Sequence, residues 1–123
     1  MAQILVIDDD RSIRNTIARM LTAHGFGVVA TANGKDALKL CEQEHPVMVI
    51  TDIIMPEQEG IETIRQILDH QPGAKIIAIS GGGRIGNTDF LQIARKVGAT
   101  EVLPKPFYPD DLLQLVQNCI AAA

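Results

Sequence analysis

The stretch Val47-Met48-Val49-Ile50-Thr51-Asp52-Ile53-Ile54-Met55-Pro56 decides how the chain is read. Its apolar run is too short for a helix and β-branched enough to be a strand buried on both faces, and Pro56 stops whatever follows Asp52. Asp52 therefore stands where a core strand runs out into a loop. In an open α/β sheet, ligands bind at the carboxyl ends of the strands, so a carboxylate delivered there is a candidate functional group.

Upstream, Ile4-Leu5-Val6-Ile7 is a second buried strand that ends directly in Asp8-Asp9-Asp10. Helical spacing follows at Ile13, Ile17, Met20 and Leu21, where Asp10 or Ser12 can cap the start and Gly25 the end. Val28-Val29-Ala30-Thr31 is a shorter strand, and the helix opened by Asn33-Gly34 stops at His45-Pro46. Downstream, Gly60 leads into a helix with Ile61, Ile64, Ile67 and Leu68 on one face. Ile76-Ile77-Ala78-Ile79 is a fourth strand and delivers Ser80. A glycine-rich loop, Gly81 to Asn87, precedes a helix with Phe90, Ile93, Ala94 and Val97 turned inward. Glu101-Val102-Leu103 is a fifth strand running into Pro104-Lys105-Pro106. Pro109, Asp110 and Asp111 open a last helix, whose buried face is Leu112, Leu115, Val116, Cys119 and Ile120.

Five strands alternating with five helices predict an α/β domain: a doubly wound, five-stranded parallel sheet with helices on both faces and right-handed crossovers. Strands 1, 3 and 4 are the most apolar and belong in the middle, which the order 2-1-3-4-5 satisfies. Connection direction then reverses between strands 1 and 3, and the crevice this leaves lies between Asp8-Asp9 and Asp52. No linker or repeat interrupts the 123 residues, so residues 1–123 read as one domain.

A net charge of −4 argues against a phosphate-backbone ligand, so no nucleic acid is expected as a direct partner. Cys41 and Cys119 have neither metal-ligand spacing nor disulfide density and read as core thiols in a reducing compartment. No apolar run reaches membrane length and the N-terminus lacks the form of a signal peptide, so the expected location is the cytoplasm.

Four strand ends converge on one crevice: Asp8 and Asp9, Asp52, Ser80, and Lys105. Together with Met55-Pro56, Gly60, Ser80-Gly81, Val97-Gly98-Ala99 and Lys105-Pro106-Phe107, this constellation resembles the receiver domain of bacterial two-component response regulators, over the whole chain. The resemblance implies a flavodoxin-like fold and phosphorylation of Asp52 by a histidine kinase or a histidine phosphotransfer protein. It implies Mg²⁺ held by Asp8, Asp9, Asp52 and the backbone carbonyl of Ile54, with Asp9 ligating directly and Asp8 through water. Ser80 and Lys105 would assist transfer, and Lys105-Pro106 would be a cis bond. The chain would be a phosphoacceptor that assists its own phosphorylation and dephosphorylation, not a turnover enzyme. With nothing following residue 123, it would signal by conformational change and contact with a downstream protein.

Each role suits its residue. A carboxylate attacks phosphorus to give a reactive, reversible acyl phosphate. Clustered carboxylates repel unless a cation joins them, and hard oxygen ligands suit Mg²⁺. A loose transition state with charge on its outer oxygens is stabilised by an ammonium and a hydroxyl. On helix 1, Arg11, Arg14 and Arg19 have no acidic neighbour and are candidates for docking the phosphodonor.

A haloacid-dehalogenase-like phosphohydrolase using Asp8 and Asp10 is the alternative, since Asp8-Asp9-Asp10 supplies Asp-x-Asp after a first strand. It leaves Asp52 unemployed and lacks a further acidic pair. His24, His45 and His70 lie near helix ends without ligand spacing, and no Gly-Lys-Ser/Thr follows Gly81 to Gly83 to make a nucleotide loop. Two features depart from the family pattern. Val102 stands where an aromatic toggle is common, and the loop after Ser80 is about three residues longer than usual, so loop and following helix are the expected moving parts.

Overall fold

Alternation along the strands builds the molecule. The computed structural model describes residues 3–53, 60–80, 92, 95–105 and 107–121. The elements run β1 (Gln3–Ile7), α1 (Arg11–Ala23), β2 (Gly27–Thr31), α2 (Gly34–Glu44), β3 (Met48–Asp52), α3 (Gly60–His70) and β4 (Lys75–Ser80). Then come α4, helical at residues 92 and 95–97, β5 (Glu101–Pro104) and α5 (Pro109–Ala121). The five strands form one parallel sheet in the order β2-β1-β3-β4-β5, as the apolar grading of the strands requires.

Because successive strand residues face opposite sides, the sheet feeds two cores. Leu5, Ile7, Val49, Ile76 and Ala78 pack with Ala37 and Cys41 of α2 and Ile64 and Ile67 of α3, and Val97 of α4 joins them. Ile4, Val6, Met48, Ile50, Ile77 and Ile79 pack with Ile17 and Leu21 of α1 and Leu112, Val116 and Cys119 of α5. Every residue of β3 is buried, whereas the edge strands β2 and β5 are only half-covered over most of their length. The strand begins one residue later than its apolar run. Val47 is exposed, and its backbone N–H donates to Gln3 O at 2.9 Å, closing the chain onto the start of β1.

Local signals set the element ends. Asp10 caps α1, its side chain accepting from the N–H groups of Ser12 and Ile13, and Asn33 caps α2 through Asp36 N–H. His45 ends α2 in the left-handed region at φ 48°. Of the sequence expectations, several lie outside the described residues: the Ile54 carbonyl, Met55-Pro56, the Gly81 to Asn87 loop, Phe90, Ile93 and Ala94, the Ser80 side chain, and Pro106 with its peptide bond.

Candidate functional site

β1 and β3 are neighbours in parallel register, with Ile7 opposite Thr51, so Asp8 and Asp52 leave adjacent strands at the same end of the sheet. Both are deeply buried, at 1% and 3% exposure, a state charged groups occupy only when partnered. Lys105, one residue past β5, supplies the partner. Its Nζ donates to Asp8 Oδ2 at 2.9 Å and to Asp52 Oδ2 at 3.2 Å. Burial by itself lowers the Lys105 pKa. The hydrogen bond to Asp8, the charges of Asp52 and Asp8 and the hydrogen bond to Asp52 outweigh it, and the net shift is upward. The ammonium therefore stays charged in its pocket.

Asp9, two residues past β1, is exposed, yet one oxygen each from Asp8, Asp9 and Asp52 lie within 4.8 Å of one another. By formal charge, three carboxylates against one ammonium leave two negative charges among these four groups. A hard divalent cation matches both that charge and the all-oxygen donor set, and the exposed side at Asp9 leaves room for water ligands.

The turn that carries the acids is held at several points. Asp8 N–H donates to Thr31 O at 3.2 Å, and Asp10 N–H donates to Asp8 Oδ1 at 2.8 Å. Arg14 Nη1 donates to the Asp8 backbone carbonyl at 2.8 Å. On the other side, Thr51 Oγ1 donates to Asp52 O at 3.0 Å and Ile53 N–H to Ile79 O at 2.9 Å, fixing the exit of β3. Ser80 closes β4 in register with Pro104, which brings its backbone beside the residue preceding Lys105.

The structure thus brings Asp8, Asp9, Asp52 and Lys105 together as the sequence leads one to expect, and places the Ser80 backbone at the same sheet end. It also shows a part the residue pattern did not reveal: Arg14, read with Arg11 and Arg19 as lacking an acidic neighbour on helix 1 and as a candidate for docking the phosphodonor, is half-buried and bonded to the site's own main chain. Spacing along a helix carries no signal for a side chain that reaches back past the N-cap. The phosphohydrolase alternative loses its second acid, because Asp10 Oδ1 accepts from Ser12 N–H at 2.9 Å and Ile13 N–H at 3.3 Å and so serves as the cap of α1. The histidines stay apart from the site: His24 Nδ1 is 2.9 Å from Met20 O, and His70 Nε2 lies 3.8 Å from Glu42 Oε1 on the α2–α3 side.

Comparison with known proteins agrees with this geometry. Residues 4–117 match the family described as the response regulator receiver domain. The chain is 36% identical over 119 residues to the chemotaxis protein CheY of Listeria monocytogenes, covering 96% of this chain and 98% of that one. It is 31% identical over 123 residues to the response regulator receiver protein CpdR of Brucella abortus, covering 100% of both. Among solved structures, a CheY-like response regulator receiver domain protein of Methanospirillum hungatei superposes with a TM-score of 0.89 at 28% identity, covering 99% of this chain and 95% of that chain. An acidic pocket at the carboxyl end of a 2-1-3-4-5 sheet, a lysine bridging two of its carboxylates and a family match across the sheet have one meaning: the chain belongs to the response regulator receiver domain family and is a two-component phosphoacceptor.

Proposed function

We propose that Asp52 is the phosphoacceptor and that Asp8, Asp9 and Asp52, with the carbonyl of Ile54, hold Mg²⁺ during transfer. The observation that carries this reading is the pair of bonds from Lys105 to Asp8 and Asp52, which marks Asp52 as the buried strand-end carboxylate facing the acidic pair. Asp52 attacks the phosphorus of a phosphohistidine, an oxygen–phosphorus bond forms as the nitrogen–phosphorus bond breaks, and the electron pair returns to the imidazole. Lys105 orients the Asp52 carboxylate before attack and meets charge developing on the phosphoryl oxygens, with Ser80 as the proposed second donor. Bound Mg²⁺ supplies positive charge to the same oxygens. Hydrolysis returns inorganic phosphate and the free Asp52 carboxylate, so the protein cycles between two states and does not turn over a substrate pool.

The partners are a histidine kinase or histidine phosphotransfer protein, and a downstream protein that reads the phosphorylated state; residues 1–123 act as one receiver unit. Arg11 and Arg19 remain exposed on α1 and are the charges available to a docking phosphodonor, whereas Arg14 is engaged within the molecule. A cytoplasmic location fits the two buried, unpaired thiols, Cys41 and Cys119, and no described helix is long and apolar enough to cross a membrane.

Incubation with Mg²⁺ and acetyl phosphate should add a single phosphoryl mass, and Asp52→Asn should abolish it. Label on Asp8 in the intact protein would overturn the assignment.

A further inference from the structure

We infer that Arg14 is a positioning residue for the acidic pocket, clamping the Asp8-Asp9-Asp10 turn so that its carboxylates are set before metal or phosphoryl group arrives. The Arg14 side chain ties the start of the turn to α1, whose first backbone bond already holds the turn's other end. The Arg14 backbone N–H donates to Asp10 O at 3.0 Å, and the guanidinium reaches back six residues to donate to Asp8 O at 2.8 Å. Between those anchors, Asp10 N–H donates to Asp8 Oδ1, the bond that aims the Asp8 carboxylate and leaves Oδ2 for Lys105. Asp8 N–H is held by Thr31 O, so each polar group of Asp8 has a partner in the turn, in β2 or in Lys105. Removing the guanidinium takes away the donor to the Asp8 carbonyl seen among the described residues and frees the peptide between Asp8 and Asp9. Asp9 is exposed and has no described bond to hold it, so its direction depends on that peptide.

Charge and position pull in opposite directions here, which makes the role testable. Arg14 is a cation near an acidic cluster. If it acted by charge alone, removing it would tighten cation binding; if it acts by position, removing it loosens the ligand set and weakens binding, as changes to groups supporting metal ligands commonly do by about 10-fold or more. This inference rests on the proposed Mg²⁺ site, but its structural half is measurable without metal.

In the metal-free protein, amide hydrogen exchange at Asp10 should be at least about 10-fold faster in Arg14→Gln, with Ile77 in the sheet centre unchanged as the monitor of global opening. Mg²⁺ titration by calorimetry should show weaker binding by about 10-fold in Arg14→Gln, whose amide sits on too short a side chain to reach the Asp8 carbonyl, with Arg14→Lys, which keeps a cationic donor on a longer side chain, falling between it and wild type. Unchanged Asp10 exchange, or Mg²⁺ affinity equal to or above wild type in Arg14→Gln, overturns the inference. Absence of Mg²⁺ binding in the wild type would instead count against the proposed metal site, and the Asp10 exchange would still decide the role of Arg14.

Discussion

Lys105 joins two carboxylates that the fold has withdrawn from water, and its side chain is itself only 14% exposed. Removing the lysine leaves two buried carboxylates without a counter-charge, so Lys105→Met should lower metal-free stability by about 3 kcal/mol in denaturant unfolding. Mg²⁺ should then restore more stability to the variant than to the wild type. The pH dependence has a definite sign. Because the folded pKa of Lys105 is raised above 10.5, its contribution is fully present below that value and is lost as pH rises from there through the folded pKa. The stability gap between wild type and Lys105→Met should therefore be flat through neutral pH and close in the alkaline range. Burial raises both thiol pKa values, with the Glu42 charge adding to the effect at Cys41 and the Glu101 charge at Cys119, where nearby Lys75 opposes it. Alkylation of either cysteine should accordingly wait on unfolding.

At the scale of elements, the ends of helices separate structural from chemical roles. Asp10 belongs to α1: Asp10→Ala should cost about 1 kcal/mol of stability, typical of a lost N-cap, while leaving acetyl phosphate labelling intact. A phosphohydrolase would lose its acid in the same variant, so retained labelling separates the two readings again. The junction of α4 and β5 turns on Gly98, at φ 131°, a backbone conformation side chains rarely adopt. A Cβ there would also meet Leu68 Cδ1 of α3 at 2.5 Å. Gly98→Ala should therefore destabilise by about 1–3 kcal/mol, read as a lowered urea midpoint, chiefly through backbone strain, since the Leu68 methyl ends a flexible side chain that can turn aside. Lys75 makes a comparable tie across elements, its Nζ donating to Cys119 O at 2.7 Å and so satisfying a carbonyl near the end of α5.

For the whole molecule, the acidic pocket sets function against stability. Folding brings Asp52 to the Asp8-Asp9 pair, one oxygen of each group lying within 4.8 Å of the others, so the native state carries repulsion that the unfolded chain does not. Mg²⁺ should bind the native arrangement alone and raise the thermal midpoint, by about 2.7 kcal/mol of added stability at a free concentration one hundred times its dissociation constant. Thermal unfolding with and without millimolar Mg²⁺ measures this. An unchanged midpoint at saturating metal would count against the site. Asp52→Asn removes one of the repelling charges and should raise metal-free stability while reducing the Mg²⁺ increment.

The apolar run ending at Asp52 and the run ending at Asp8 were enough by themselves to determine two central strands, because residues buried on both faces of a parallel sheet leave an unbroken aliphatic signature. Strand order followed from the same grading, and Asp8, Asp9, Asp52 and Lys105 could be named because each stands at a strand end. Periodicity is blind to side chains that act across elements. That Lys105 bridges Asp8 and Asp52 and that Arg14 reaches back to the Asp8 carbonyl depend on distances of about 3 Å between groups far apart or out of phase in the chain, whereas the Asp10 cap of α1 is a local contact and was legible in the sequence. Those distances exist only once β1, β3 and β5 lie in one sheet and α1 packs beneath it. Burial then gives the charges their weight, because a bond that water would screen at the surface becomes decisive where water is excluded.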